Sequence, residues 1–205
     1  ERRYTMISIV IAEDQNMLRK AMIQLIEFHD DLKVIDDFDN GIDALQSINS
    51  QQPDIAILDI EIPGITGLEI LSQLRENKIN TKVIIVTTFK RPGYFERAVA
   101  NDVDAYVLKE RSADDLVATI HKVLNGEKEY STSLMTSLFK EANPLTHKEQ
   151  VVLREIGEGL SNKEVADKLY LSNGTVRNYT SNIIDKLEAE NRFDAWRKAN
   201  DKGWI

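Results

Sequence analysis

The sequence predicts a doubly wound parallel α/β domain of five strands, followed by a small all-α domain of four helices. Three observations lead there. Short β-branched runs alternate with amphipathic helical stretches as far as Gly126, the pattern of βαβ units around a parallel sheet. After Pro144 no strand-like run appears, and the apolar spacing is helical throughout. Charge divides at the same place: the net charge is −8, yet residues 143–205 carry ten basic and ten acidic side chains, so the whole acidic excess lies in residues 1–142.

In chain order the strands are ISIVIA (7–12), LKVID (32–36), IAILD (55–59), KVIIVT (82–87) and AYVL (105–108). After the first, Leu18, Ala21, Met22, Leu25 and Ile26 recur at helical spacing, as do Leu68, Leu71 and Leu74 after the third. The last helix of this half opens with Ser112 and Asp115 at capping-box spacing. It carries Leu116, Ile120, Val123 and Leu124 and stops at Gly126. Five strands and five helices fill residues 6–126. Residues 127–143, EKEYSTSLMTSLFKEAN, are polar with one short apolar group and read as a linker holding a helical turn or two. In residues 144–205, Thr146 with Glu149 and Ser161 with Glu164 form capping-box pairs, and LSNGT starts a further helix on Ser172 or Asn173.

At 205 residues and 42% hydrophobic content the chain suits two ordinary globular domains. Cysteine is absent, which excludes disulfides, thiolate metal sites and a cysteine nucleophile. The longest apolar runs have strand length, short of the ~20 residues that cross a bilayer. A soluble, cytoplasmic protein without a membrane partner is expected. Glu1–Thr5, ahead of Met6, are expected to be an addition outside the fold. His29, His121 and His147 have no ligand spacing and take no role.

In a doubly wound sheet the ligand site lies outside the carboxyl ends of the strands. Here strand one runs into Glu13 and Asp14, strand three into Asp59, strand four into Thr87 and Thr88, and strand five into Lys109. Each residue alone has an ordinary explanation: a helix cap, a solvated lysine, a threonine ending a strand. Together they bring three carboxylates, hydroxyls and a lysine to one edge. Such acids repel one another unless a cation sits among them, and an oxygen-lined cluster favours Mg²⁺. Mg²⁺ flanked by lysine and hydroxyl suits a phosphoryl group, with Asp59 as its nucleophile.

These residues, Glu13-Asp14, Asp59 in LDIEIPG-x-x-G, Thr87 and Lys109 in YVLK, resemble the receiver domain of two-component response regulators, a flavodoxin-like fold, over residues 6–126. The resemblance implies that Asp59 accepts a phosphoryl group from a sensor histidine kinase. Asp14, Asp59 and the backbone carbonyl of Glu61 would ligate Mg²⁺, with Glu13 acting through water. Thr87 and Lys109 would bind the phosphoryl oxygens, and Tyr106 would swing inward behind Thr87. A partly buried tyrosine on an edge strand fits Tyr106 equally well. The resemblance also implies phosphorylation-driven dimerisation, and no enzymatic activity beyond assisting its own phosphoryl transfer and autodephosphorylation. Two departures stand out: Glu-Asp replaces the commoner Asp-Asp, and Lys109 precedes Glu110 rather than proline, so no cis peptide is expected there. A haloacid-dehalogenase-type phosphatase, the competing Asp-nucleophile class, places its acid after the first strand in D-x-D-x-T, which Asp59 does not match.

In the second half, SNKEVADKLYLSNGTVRNYTSNIIDKLE suits a helix-turn-helix. Val165, Ala166 and Leu169 pack the first helix, and Val176, Ile183, Ile184 and Leu187 the inner face of the second. Arg177, Asn178 and Ser181 then face outward, suited to base edges, while Asn162, Lys163, Thr175 and Lys186 are placed for phosphates. The pattern LT-x-x-E through LS-x-x-TV resembles the LuxR-type helix-turn-helix of NarL/FixJ regulators over residues 144–205, with Tyr179 where histidine is usual. It implies double-stranded promoter DNA as partner, with RNA polymerase as a candidate further one. TTF-x-RPGYF-x-RA, ANPLT, GTVRNY and KGW are similar to regulators of membrane-lipid desaturation in bacilli within that family. Ala195, Trp196 and Ala199 resemble the family's dimerising helix, and Trp196 serves equally well as core. Neutral charge predicts modest affinity per copy, so that two copies act together. An atypical regulator, binding DNA independently of phosphorylation, is the alternative.

Overall fold

The computed structural model describes residues 6–88, 91–110, 112–131, 135 and 143–205. Glu1–Thr5 and most of the expected linker, residues 132–134 and 136–142, lie outside the described residues, and so does the helical turn expected there. The chain divides into two compact units, with the main boundary after Met135.

The first unit contains β1 (Ile7–Ala12), α1 (Asn16–Glu27), β2 (Leu32–Phe38), α2 (Gly41–Gln51), β3 (Ile55–Leu58), α3 (Gly67–Glu76), β4 (Lys82–Thr87), α4 (Pro92–Ala100), β5 (Ala105–Leu108), α5 (Ala113–Leu124) and β6 (Glu129–Tyr130). The strands are parallel, in the order β2-β1-β3-β4-β5-β6. Alternate residues of each strand face opposite layers. Ile9, Ile11, Ile55, Ile57, Ile84 and Val86 meet Met22 and Ile26 of α1 and Ile120 and Val123 of α5 in one core. Ala21 and Leu25, expected on the buried face of α1, are exposed, because only the stripe through Leu18, Met22, Ile23 and Ile26 reaches the sheet. Leu68, Leu71 and Leu74 of α3 are buried as expected.

The sixth strand is the main departure from expectation. Its two residues sit in a polar segment, too short to show a period of two. Its backbone makes it a strand: Glu129 N–H donates to Asp104 O and Ser131 N–H to Tyr106 O, each at 3.1 Å. β5 is therefore not an edge strand.

Among the described residues the second unit holds four helices: α6 (His147–Gly157), α7 (Asn162–Leu169), α8 (Asn173–Lys186) and α9 (Arg192–Asp201). Both expected capping boxes form, Thr146 with Glu149 and Ser161 with Glu164. Ser172 rather than Asn173 caps α8, its hydroxyl accepting Thr175 N–H at 3.0 Å. Val165, Ala166, Val176 and Ile183 pack with Leu153, Ile156, Ala195 and Ala199 as one core, against which Trp196 lies partly buried. Gly157 makes room for that ring: a Cβ there would stand 2.0 Å from Trp196 Nε1.

Candidate functional site

Strand order reverses between β1 and β3, and the expected acids lie just past these two strands. Sheet-like hydrogen bonds hold their backbones. Glu13 N–H donates to Phe38 O at 3.0 Å, Asp59 N–H to Ala12 O at 2.9 Å and Lys109 N–H to Thr87 O at 2.9 Å. Asp59 is thus the first residue beyond β3 rather than its last.

The side chains then converge. Lys109 Nζ lies 3.0 Å from Asp59 Oδ2 and 2.5 Å from Glu13 Oε2. The second Asp59 oxygen accepts Ile60 N–H at 2.7 Å. Carboxylate oxygens of Glu13, Asp14 and Asp59 all lie within 4.8 Å of one another; Glu13 and Asp59 are buried and Asp14 faces solvent. Hard oxygen donors, closely grouped and open on one side, can hold a metal ion. Thr87 is buried at the end of β4, and Tyr106 is fully buried. Glu61 is exposed in the loop after Asp59, between the buried Ile60 and Ile62.

Burial pushes the Glu13 carboxyl above its usual range, against the hydrogen bonds from Lys109 and the Gln15 N–H. Burial alone would lower the Lys109 ammonium, yet its bonds to Glu13 and Asp59 carry it above its usual value. The lysine is held charged as the counter-ion of two buried acids.

Two supporting residues, Arg19 and Gly41, escaped the motif reading, and a third, Gly67, stood in LDIEIPG-x-x-G without a role. Arg19 of α1 donates from Nη1 to Glu13 O at 2.5 Å while pairing with Asp37 at 2.8 Å, which ties down the Glu13–Asp14 turn. Gly41 N–H donates to Pro63 O at 2.8 Å, and a Cβ on Gly41 would stand 1.9 Å from Ile65 O. A Cβ on Gly67 would stand 2.2 Å from Asp59 O. The loop after Asp59 is gripped by two helix starts that only glycine lets approach. The glycines were visible in the sequence, but nothing local marks which backbone they must clear.

In the helical unit, Lys163, Arg177, Asn178 and Ser181 are exposed as expected. Asn162 and Thr175 are half-buried: Asn162 accepts from Arg192 at 3.4 Å, and the Thr175 hydroxyl bonds with that of Ser172 at 2.8 Å. The Lys186 ammonium lies 2.8 Å from the buried Glu149, a pair that ties α8 to α6. Tyr179 packs partly against the core, turned from the outer face. Tyr170, which the sequence reading passed over, is 96% exposed at the left-handed end of α7, where glycine or asparagine would be the usual signal.

Residues 9–121 match the response regulator receiver domain, and residues 143–199 match the bacterial regulatory proteins of the luxR family. The chain is 45% identical to the transcriptional regulatory protein DesR of Bacillus subtilis over 98% of its own length and 100% of that protein. It is equally 45% identical to the uncharacterized transcriptional regulatory protein YvfU of the same organism, with the same coverage. Among solved structures, a LuxR-family DNA-binding response regulator from Staphylococcus aureus is 62% identical over 58% of this chain and all of that one, with a TM-score of 0.57. The response regulator RcsB bound to DNA shares the fold at a TM-score of 0.67 over 96% of this chain and 98% of its own, at 22% identity. The chain belongs to the NarL/FixJ response regulators, in which a receiver domain controls a LuxR-type helix-turn-helix, and it is a phosphorylation-dependent regulator of transcription.

Proposed function

We propose that Asp59 is the phosphoacceptor and that a sensor histidine kinase is the donor. The observation that carries this reading is the buried Asp59 held 3.0 Å from Lys109 with Glu13 and Asp14 beside it. A carboxylate oxygen of Asp59 forms the new P–O bond as the P–N bond of a phosphohistidine breaks, and the imidazole nitrogen keeps the electron pair. Lys109 and the Thr87 hydroxyl take the phosphoryl oxygens. Asp14, Asp59 and the Glu61 carbonyl hold Mg²⁺, with Glu13 acting through water; the ion supplies charge neutralisation during transfer. Tyr106 follows Thr87. The receiver assists only its own phosphorylation and autodephosphorylation.

The working domains are residues 6–126 as receiver, 127–143 as a linker whose first residues join the receiver sheet as β6, and 144–205 as DNA-binding domain. Phosphorylation favours a homodimer, and two helix-turn-helix copies then grip promoter DNA in the cytoplasm through Arg177, Asn178 and Ser181 at base edges and Lys163 at phosphates. The neutral charge of residues 143–205 supports a need for two copies. RNA polymerase is a further partner of the bound dimer.

Intact mass after incubation with Mg²⁺ and acetyl phosphate tests the reading, with oligomeric state measured on the same samples. The parent gains a labile phosphoryl adduct and shifts toward dimer, while Asp59→Ala does neither. An unmodified parent would replace this reading with a regulator that binds DNA independently of phosphorylation.

A further inference from the structure

The sixth strand joins the acid site to the segment that leaves the receiver. β6 pairs in parallel with β5, Ala105 opposite Glu129 and Tyr106 opposite Tyr130. Three rings lie behind that pairing. Tyr106 meets Phe95 of α4 edge-on at 5.2 Å between centroids, and Phe95 meets Tyr130 edge-on at 5.5 Å. Phe95 and Tyr106 are both fully buried, and Tyr130 is half-buried beside them. Lys128 Nζ also holds Asp102 at 2.6 Å and Val103 O at 2.8 Å, and Lys122 lies 3.4 Å from Glu129. At its far end the same β5 leads into Lys109, whose N–H is bonded to Thr87 O. One four-residue strand therefore carries the lysine of the acid site at its end and the first residues of the departing segment along its side.

We propose that β6 is the output element of the receiver. Loading Asp59 pulls on Lys109 and β5, the Tyr106–Phe95–Tyr130 triad repacks, and the pairing of β6 carries the change into residues 127–143. The inference rests on Asp59 being the phosphoacceptor. Its physical basis is that close-packed rings do not deform continuously: one ring moves only if its neighbours find a second arrangement. A two-residue strand held by few backbone bonds has such an alternative, because detaching it leaves the core sheet intact. The acid site and the linker then bias the same two-state element, which is what coupling between them requires.

Amide hydrogen exchange of the peptide Glu127–Ser131 tests this in the full chain with Mg²⁺ and acetyl phosphate, the adduct on Asp59 being followed by intact mass. In the parent, exchange of that peptide changes at least threefold when the adduct forms. In Tyr130→Leu the adduct still forms, but exchange is the same with and without it; Tyr130→Phe, which keeps the ring, behaves as the parent. Adduct formation by Tyr130→Leu also shows that its receiver is folded. An adduct in the parent with no change in exchange overturns the proposal, as does a Tyr130→Leu response equal to the parent's. A parent that forms no adduct overturns the phosphoacceptor reading itself, and this inference with it.

Discussion

Lys109 and Asp59 form an ion pair at 3.0 Å in which both side chains are only 6% exposed, and Glu13 shares the same ammonium at 2.5 Å. Removing the lysine leaves two buried carboxylates facing each other, a loss of about 3–5 kcal/mol for a broken buried pair. Lys109→Met is expected to lower the stability of the receiver by about 3 kcal/mol at pH 7 in chelator, with part restored by Mg²⁺. Urea unfolding followed by far-ultraviolet circular dichroism measures it. A midpoint that ignores both the mutation and the metal would contradict the pairing.

Glu149 and Lys186 make a second pair that is read separately, because Trp196 and Trp204 both lie in the helical unit. Burial raises the Glu149 carboxyl, but its hydrogen bonds with Lys186 and Thr146 outweigh this and leave it below the ordinary value of 4.5. A depressed carboxyl contributes stability above its unfolded value and loses it as pH falls through the folded one. The helical unit is expected to weaken from pH 5 toward pH 3, and Glu149→Gln to flatten that acid limb. Lys186→Met is expected to cost about 1–2 kcal/mol at pH 7. Tryptophan emission during urea unfolding at each pH supplies the comparison.

Two glycines of the receiver separate steric from conformational cost. Gly67→Ala would drive a Cβ to 2.2 Å from the Asp59 carbonyl, whereas nothing lies within 4 Å of a Cβ on Gly126, whose φ is +85°. Gly126→Ala is expected to cost about 1 kcal/mol from its backbone angle and to leave phosphorylation unchanged. Gly67→Ala is expected to cost more than about 2 kcal/mol and to slow adduct formation, because the acceptor's own backbone must move. Equal effects on stability and adduct rate would refute that distinction.

On the exposed side of the helix-turn-helix, Arg177 of α8 and Lys163 of α7 should differ in kind. With duplexes selected from a random pool, Arg177→Ala is expected to lose about 1–3 kcal/mol of discrimination at one base pair. Lys163→Ala is expected to weaken every duplex alike and to reduce the salt dependence by about one phosphate contact. Binding isotherms at three salt concentrations, on selected and scrambled duplexes, separate the two outcomes.

Strand and helix identity was legible because periodicity and turn residues are local signals: IAILD, KVIIVT and the pairs Thr146–Glu149 and Ser161–Glu164 announce their elements without tertiary help. The acid set was legible for a related reason, since Glu13, Asp14, Asp59 and Lys109 all follow apolar runs and parallel topology gathers strand ends at one edge. What no local pattern encodes is which distant partner a group meets. The pairing of Lys186 with Glu149 across the helical core left no trace in the local pattern around either residue. Glu129 and Tyr130 looked like linker until the open edge of β5 accepted their backbones. Gly41 matters through the carbonyl of Ile65, in another segment. Charge compensation, strand pairing and close backbone approach are relations between segments far apart in sequence, and only the folded chain decides them.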